Sequence, residues 1–295
     1  MKHFLLAFMC LLVIGGAFFG GIYVEKKHEN SVQARALNEK VAKSKEVAKT
    51  KVKDEAIAKS KEEEAATTLN EKKLQVKSKE TNKSLNDNSQ KIVVIDPGHS
   101  SIVDLETEPE APGSKIMKIK EPGGGHGINT KTPEYVVNMA VAIKLRSLLL
   151  GKGYTVIMTK TQNKQVLGSI ARAEVGNKAK ANLVIRIHAD SNDNTSAKGA
   201  TMLVPTDTKY TDPIYKTSKK YGQIVFNDLT KDVGMNSRGV VERSDMTGFN
   251  WSKVPVMLIE MGFQSNFTED KLLVTYSYQA KIAKGLADGI DQALK

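Results

Sequence analysis

Residues 92–99 read Ile92-Val-Val-Ile-Asp-Pro-Gly-His99. Four consecutive β-branched apolar residues suit a strand buried on both faces, the pattern of a parallel sheet. Pro97 and Gly98 favour a turn directly after it, which leaves His99 in the loop beyond the strand's carboxyl end. Downstream, Pro133–Leu150 reads as a helix, with apolar positions at Val136, Val137, Ala140, Ile143, Leu145 and Leu148. Tyr154–Met158 reads as a strand, Ser169–Ala179 as a helix, and Leu183–Ile187 and Ala200–Val204 as strands. A helix over Ile214–Leu229, a strand over Val256–Ile259 and a helix over Tyr278–Leu294 complete the series. Strands separated by helices predict an α/β domain over residues 91–295: a mainly parallel twisted sheet with helices on both faces.

Upstream of this domain the composition changes. Residues 25–90 contain no glycine, proline or aromatic residue and are dominated by lysine, glutamate and alanine. Leu37, Val41, Val47, Val52 and Ile57 keep no sustained heptad, so a charged spacer, partly helical or disordered, is expected rather than a coiled coil. Fully helical, it would reach about 99 Å. Residues 4–24 carry no charge, and as a helix they would span roughly 31 Å, enough to cross a bilayer core. An N-terminal membrane helix over residues 1–24 is expected, with a cleaved signal peptide as the second reading. The predicted location is the cell membrane with residues 91–295 outside, or secreted if the leader is removed.

The formal charge of +11 invites a polyanionic partner. No arginine-rich helix or aromatic-basic interleaving points to nucleic acid, and much of the charge is lysine in the spacer; no nucleic acid is expected. Cys10, in the apolar leader, is the single cysteine. Any metal in the domain must therefore be held by His, Asp or Glu, and His3 and His28 lie outside it.

Ligands of parallel α/β sheets gather outside the carboxyl ends of the strands. His99 follows the first strand, His188 ends Ile185-Arg-Ile-His188, and Glu260 ends Leu258-Ile-Glu260. Glu134 opens the first long helix. Two histidines and a carboxylate form a catalytic zinc set, and a second carboxylate suits general acid–base work. Taken singly, each has a plain structural reading: a turn, a core histidine, a helix-dipole partner, a strand-end carboxylate. All four at one rim favour an amide hydrolase.

Residues 91–295 resemble the zinc-dependent N-acetylmuramoyl-L-alanine amidases of bacterial autolysins, sporulation enzymes and phage lysins. The resemblance rests on Val94-Ile-Asp-Pro-Gly-His99, the helix from Glu134, Gly153-Tyr-Thr-Val-Ile-Met-Thr159 and Ala171-Arg172. Ile187-His-Ala-Asp190 and Val254-Pro-Val-Met-Leu-Ile-Glu-Met-Gly-Phe-Gln-Ser-Asn266 extend it. It implies a Zn2+ ion on His99, Glu134 and His188, with Glu260 as catalytic carboxylate. The implied reaction cleaves the amide between N-acetylmuramic acid and the L-alanine of the stem peptide. Partners expected are peptidoglycan, the membrane through residues 4–24, and a protein activator.

This sequence departs from the family pattern after His99, where Ser100 and Ser101 stand and residues 100–133 separate the histidine from Glu134. The insertion holds Glu121-Pro-Gly-Gly-Gly-His-Gly127. It is expected as a mobile surface loop shaping the cleft, with Glu121 or His126 as rival ligands. Arg172, Asp190 and Asn266 receive no role, and Phe249 and Trp251 read as packing. Three other functions stand beside the amidase: a catalytically silent wall-binding domain, a zinc carboxypeptidase, and a tethered structural spacer. The carboxypeptidase would want a cationic clamp, for which Arg172, Arg186, Arg238 and Arg243 are available.

Overall fold

The computed structural model describes residue 88 and residues 90–295. The expected membrane helix over residues 4–24 and nearly all of the spacer lie outside the described residues. Among those described, no helix is long and apolar enough to cross a membrane. Asn88, at the end of the expected spacer, is buried and donates from Nδ2 to the Lys152 carbonyl at 3.2 Å.

A six-stranded sheet forms the centre, in the order β4-β1-β5-β8-β6-β7. Its strands are β1 (Ile92–Pro97), β4 (Thr155–Met158), β5 (Leu183–Asp190), β6 (Ala200–Pro205), β7 (Ser237–Arg243) and β8 (Val256–Phe263). Every pairing is parallel except β6 with β8. Side chains alternate between faces. Val93, Ile95, Ile185, Ile187, Met257 and Ile259 enter one core, while Val94, Val184, Val256 and Leu258 enter another on the opposite face. The first core is covered by α1 (Glu134–Gly151), α3 (Asp212–Val233) and α6 (Tyr276–Ala293). The second is smaller, packed by α2 (Ser169–Ala179) and the short α4 (Thr247–Asn250). Another short helix, α5 (Phe267–Leu273), follows β8.

Toward the carboxyl ends of the strands, the second face turns polar. The same alternation that buries Val94, Val184 and Leu258 there brings Asp96, Arg186, His188 and Glu260 to that face. Both helix-covered faces and the mainly parallel sheet agree with the sequence expectation.

Two features differ from it. The expected face of α1 is rotated: Val136, Ile143 and Leu148 are exposed, and the buried line runs Glu134, Asn138, Val141, Leu145, Leu149. Pointing Glu134 and Asn138 inward turns three apolar residues out. The segment 100–133, expected as a mobile surface loop, contains an antiparallel hairpin, β2 (Asp104–Pro109) with β3 (Met117–Glu121). Its residues Lys118 to Pro122 line the cleft, so the segment does shape the cleft. Glu108 of β2 accepts from the Ser169 and Ile170 amides at 2.6 and 3.2 Å. Those are free N–H groups at the start of α2, where an anion is favourable.

Candidate metal centre

His99 sits just past β1 in a left-handed backbone conformation, φ 57°. Gly98 before it donates its N–H to the Ile187 carbonyl at 2.9 Å. A Cβ at Gly98 would collide with the His188 ring, so only glycine lets this turn lie against β5. The two imidazoles meet edge to face, with centroids 4.8 Å apart.

Glu134 lies between them. Its Oε1 is 3.1 Å from His188 Nδ1, and its Oε2 is 3.4 Å from His99 Nε2. The carboxylate is fixed further by N–H groups of Gly125 and Ala189 and by the Asn138 amide, one helical turn on. Asn138 also reaches the Gly98 carbonyl, binding α1 to the β1 turn. Burial raises the Glu134 pKa, but His188, His99 and Asn138 outweigh it and hold the group at about 2. Burial pushes His188 down to about 4 against the pull of Glu134, so its ring is neutral at pH 7, the form that binds metal.

His99, Glu134 and His188 offer donor atoms within 4.8 Å of one another and are, among the described residues, the single group of this kind. Tetrahedral zinc with bonds of about 2.0–2.1 Å places neighbouring donors about 3.3 Å apart. The Glu134 oxygens meet the two rings at 3.1 and 3.4 Å. The donor types, spacing and ionisation all fit such an ion.

Glu121 does not join the cluster. Its Oε1 faces the other nitrogen of His99, Nδ1, at 3.1 Å, and its Oε2 accepts from Arg172 Nη2 at 2.7 Å. It orients the ring from behind, as partners of metal-binding histidines do. Burial raises Glu121, and the His99 hydrogen bond and Arg172 charge lower it further than that. Arg172 also donates from Nη1 to Asp96 Oδ1 at 3.0 Å and to the Pro97 carbonyl. Asp96 in turn receives Arg186 Nε and the Thr159 hydroxyl. Burial works to raise Asp96, yet the two guanidiniums and Thr159 hold it well below the usual carboxylate range. His126 is exposed, and its backbone bridges to Pro133; it lies outside the cluster.

Glu260 pairs with His188 across β5 and β8. Burial raises its pKa well above the ordinary carboxylate value, aided by the charges of Glu134 and Asp190. Its Oε2 is buried without a partner. With His99, His188 and Arg186 it lines a cleft of about 340 Å³, which hairpin residues Lys118 to Pro122 and Met246 and Thr247 also wall. Among the residues left without a role, Asn266 caps α5 by accepting from the Thr268 and Glu269 amides. Phe249 is fully buried in the second sheet core, and the Trp251 indole donates to the Pro109 carbonyl of the hairpin. The Glu121–Arg172–Asp96 chain escaped sequence reasoning because its members lie far apart in sequence. Its one local signal is a glutamate, Glu121, inside the 100–133 insertion that separates two proposed ligands.

Residues 93–292 match the family described as N-acetylmuramoyl-L-alanine amidase. An amidase of that name from Mycobacterium tuberculosis is 23% identical over 205 residues, covering 68% of this chain and 84% of that protein. The chain spans smaller shares, 52% and 33%, of two further related amidases. The crystal structure of the amidase Ami1 from Mycobacterium smegmatis superposes with a TM-score of 0.64 at 21% identity, over 71% of this chain and 99% of that one. The CwlD amidase of Clostridioides difficile, solved in complex with the GerS lipoprotein, gives 0.57 at 26% identity, over 70% and 98%. The match runs from β1 to α6 and takes in every element that supplies the cluster: the chain belongs to the N-acetylmuramoyl-L-alanine amidase family.

Proposed function

We propose that this chain hydrolyses the amide joining the lactyl group of N-acetylmuramic acid to the L-alanine of the peptidoglycan stem peptide. Zn2+ would be held by His99, Glu134 and His188, and Glu260 would be the catalytic carboxylate. The observation that carries this reading is the convergence of both imidazoles on the Glu134 carboxylate, with Glu260 lining the same cleft as the two rings.

A zinc ion at such a site supplies Lewis acidity, which activates water and polarises a carbonyl. The chain's own residues supply the rest. Glu134, locked by Asn138 and two backbone amides, keeps its charge and position. The Arg172–Glu121 pair holds the His99 ring in one orientation through Nδ1. Glu260 takes a proton from the attacking water and delivers it to the departing L-alanine nitrogen. A pKa raised by burial suits that exchange near neutral pH. Arg172 is committed to Asp96 and Glu121, so it is not a clamp for a terminal carboxylate, and the family match over residues 93–292 favours the amidase over the carboxypeptidase.

Peptidoglycan places the reaction outside the cytoplasmic membrane. Residues 4–24 would tether the domain there, and the protein partner of the C. difficile relative is the reason to look for an activator of this one. The test of the residue roles is E260Q. We expect it to retain one equivalent of zinc and to lose hydrolysis by about 10²–10⁴-fold, the range for a general acid–base group. Loss of zinc in that variant would reassign Glu260 as a ligand.

A further inference from the structure

Arg186 is a buried cation that, among the described residues, uses one of its five N–H donors. Its side chain is 9% exposed, and its Nε donates to Asp96 Oδ2 at 2.8 Å. Among the described residues, its two terminal nitrogens make no hydrogen bond, and the residue lines the cleft. A Cβ on Gly248 of α4 would collide with Nη1 and Cζ, so the guanidinium packs closely against that glycine, and Asp96 holds it at Nε. The remaining cleft cations are engaged: Lys118 with Glu110 at 3.0 Å, Lys120 with Glu106 at 2.7 Å, Arg243 with Asp245 at 2.7 Å. Arg172 is spent on Asp96 and Glu121.

We propose that Arg186 is a specificity residue that binds a free stem-peptide carboxylate one residue beyond the scissile amide. This deepens the amidase reading and rests on it. A guanidinium fixed at Nε presents its terminal N–H groups as a fork matched to a carboxylate. Arg186 and His188 are alternate residues of β5 on one face, about 6.6 Å apart. Two residue steps of an extended peptide cover about 7 Å. The second stem residue, D-glutamate joined through its γ-carboxyl, presents its α-carboxylate at that distance from the scissile bond, unless it is amidated. The amidated form offers a neutral group in place of the carboxylate, so the charge-assisted pair with the terminal nitrogens is lost while the Asp96 pair remains.

The test uses the full-length, zinc-loaded protein on synthetic N-acetylmuramoyl-L-alanyl-γ-D-glutamyl peptides. One carries the free α-carboxylate, a second its carboxamide, and a third is amidated only at the third residue. The expected kcat/KM ratio of free to carboxamide substrate is about ten- to a hundredfold, as for a hydrogen bond to a charged group. In R186Q that ratio falls to near one, and the third substrate behaves like the free one. A wild-type ratio near one overturns the proposal, and so does an R186Q protein that is slower on both substrates with the ratio kept. Discrimination by the third residue instead also overturns it. Where R186Q does not fold, the wild-type ratios decide alone. If no substrate is cut, the amidase reading fails. The Arg186 assignment is then settled by calorimetric affinity for the L-alanyl-γ-D-glutamyl peptide and its carboxamide, equal affinities overturning it.

Discussion

Burial raises both Glu260 and Glu134, yet the net shifts of the two groups are opposite. Glu134 has two imidazoles and an amide to hold its charge, at about 2, whereas Glu260 has no such donors and is raised. Linkage turns this into a stability prediction for the metal-free protein. As pH rises through the ordinary carboxylate range, the unfolded chain releases a proton from residue 260 that the folded chain keeps. Wild-type stability therefore falls over that interval, and E260Q removes the loss. The chelator-treated variant should melt higher than wild type at neutral pH, the gap closing below about pH 4. Equal melting temperatures across the range would contradict a raised Glu260. At this scale the sequence was informative where chemistry sits at a strand end. His99, His188 and Glu260 follow apolar runs, and Glu134 opens a helix. Glu121 was legible as a nearby carboxylate but not as the partner of His99 Nδ1, because its direction depends on a hairpin pairing and on Arg172.

Elements explain how those residues are held. The hairpin β2–β3 is polar and mostly exposed, with no apolar run to announce it, and β7 is a partly exposed edge strand without one either. Apolar runs mark strands buried on both faces, so these three escaped notice while β1, β5, β6 and β8 were plain. The rotation of α1 has a related cause: its sequence is apolar nearly all round, and Glu134 and Asn138 choose the face. Gly168 gives α2 no side-chain cap, and Glu108 replaces one from across the hairpin. E108A should destabilise the protein by about 0.5–2 kcal/mol, as loss of a cap does, read by denaturant unfolding. No change would mean that the Ser169 and Ile170 amides are served equally well by water.

The molecule as a whole separates covering from chemistry. Three long helices seal one sheet face, while α2 and α4 cover only part of the other and leave its carboxyl rim to the cleft. That division follows from strand alternation and was readable as an α/β domain; the reversal of β6 against β8 was not, since apolar runs carry no direction. Cut into wall polymer by such a cleft, the stem peptide would leave as an intact chain. The most direct measurement is digestion of purified peptidoglycan by the full-length protein, with zinc, with chelator, and with zinc restored, products identified by mass spectrometry. Stem peptides with free L-alanine amino ends, lost on chelation and recovered with zinc, are the predicted result. Products cut within the stem or the glycan, or release that persists undiminished without metal, would contradict it.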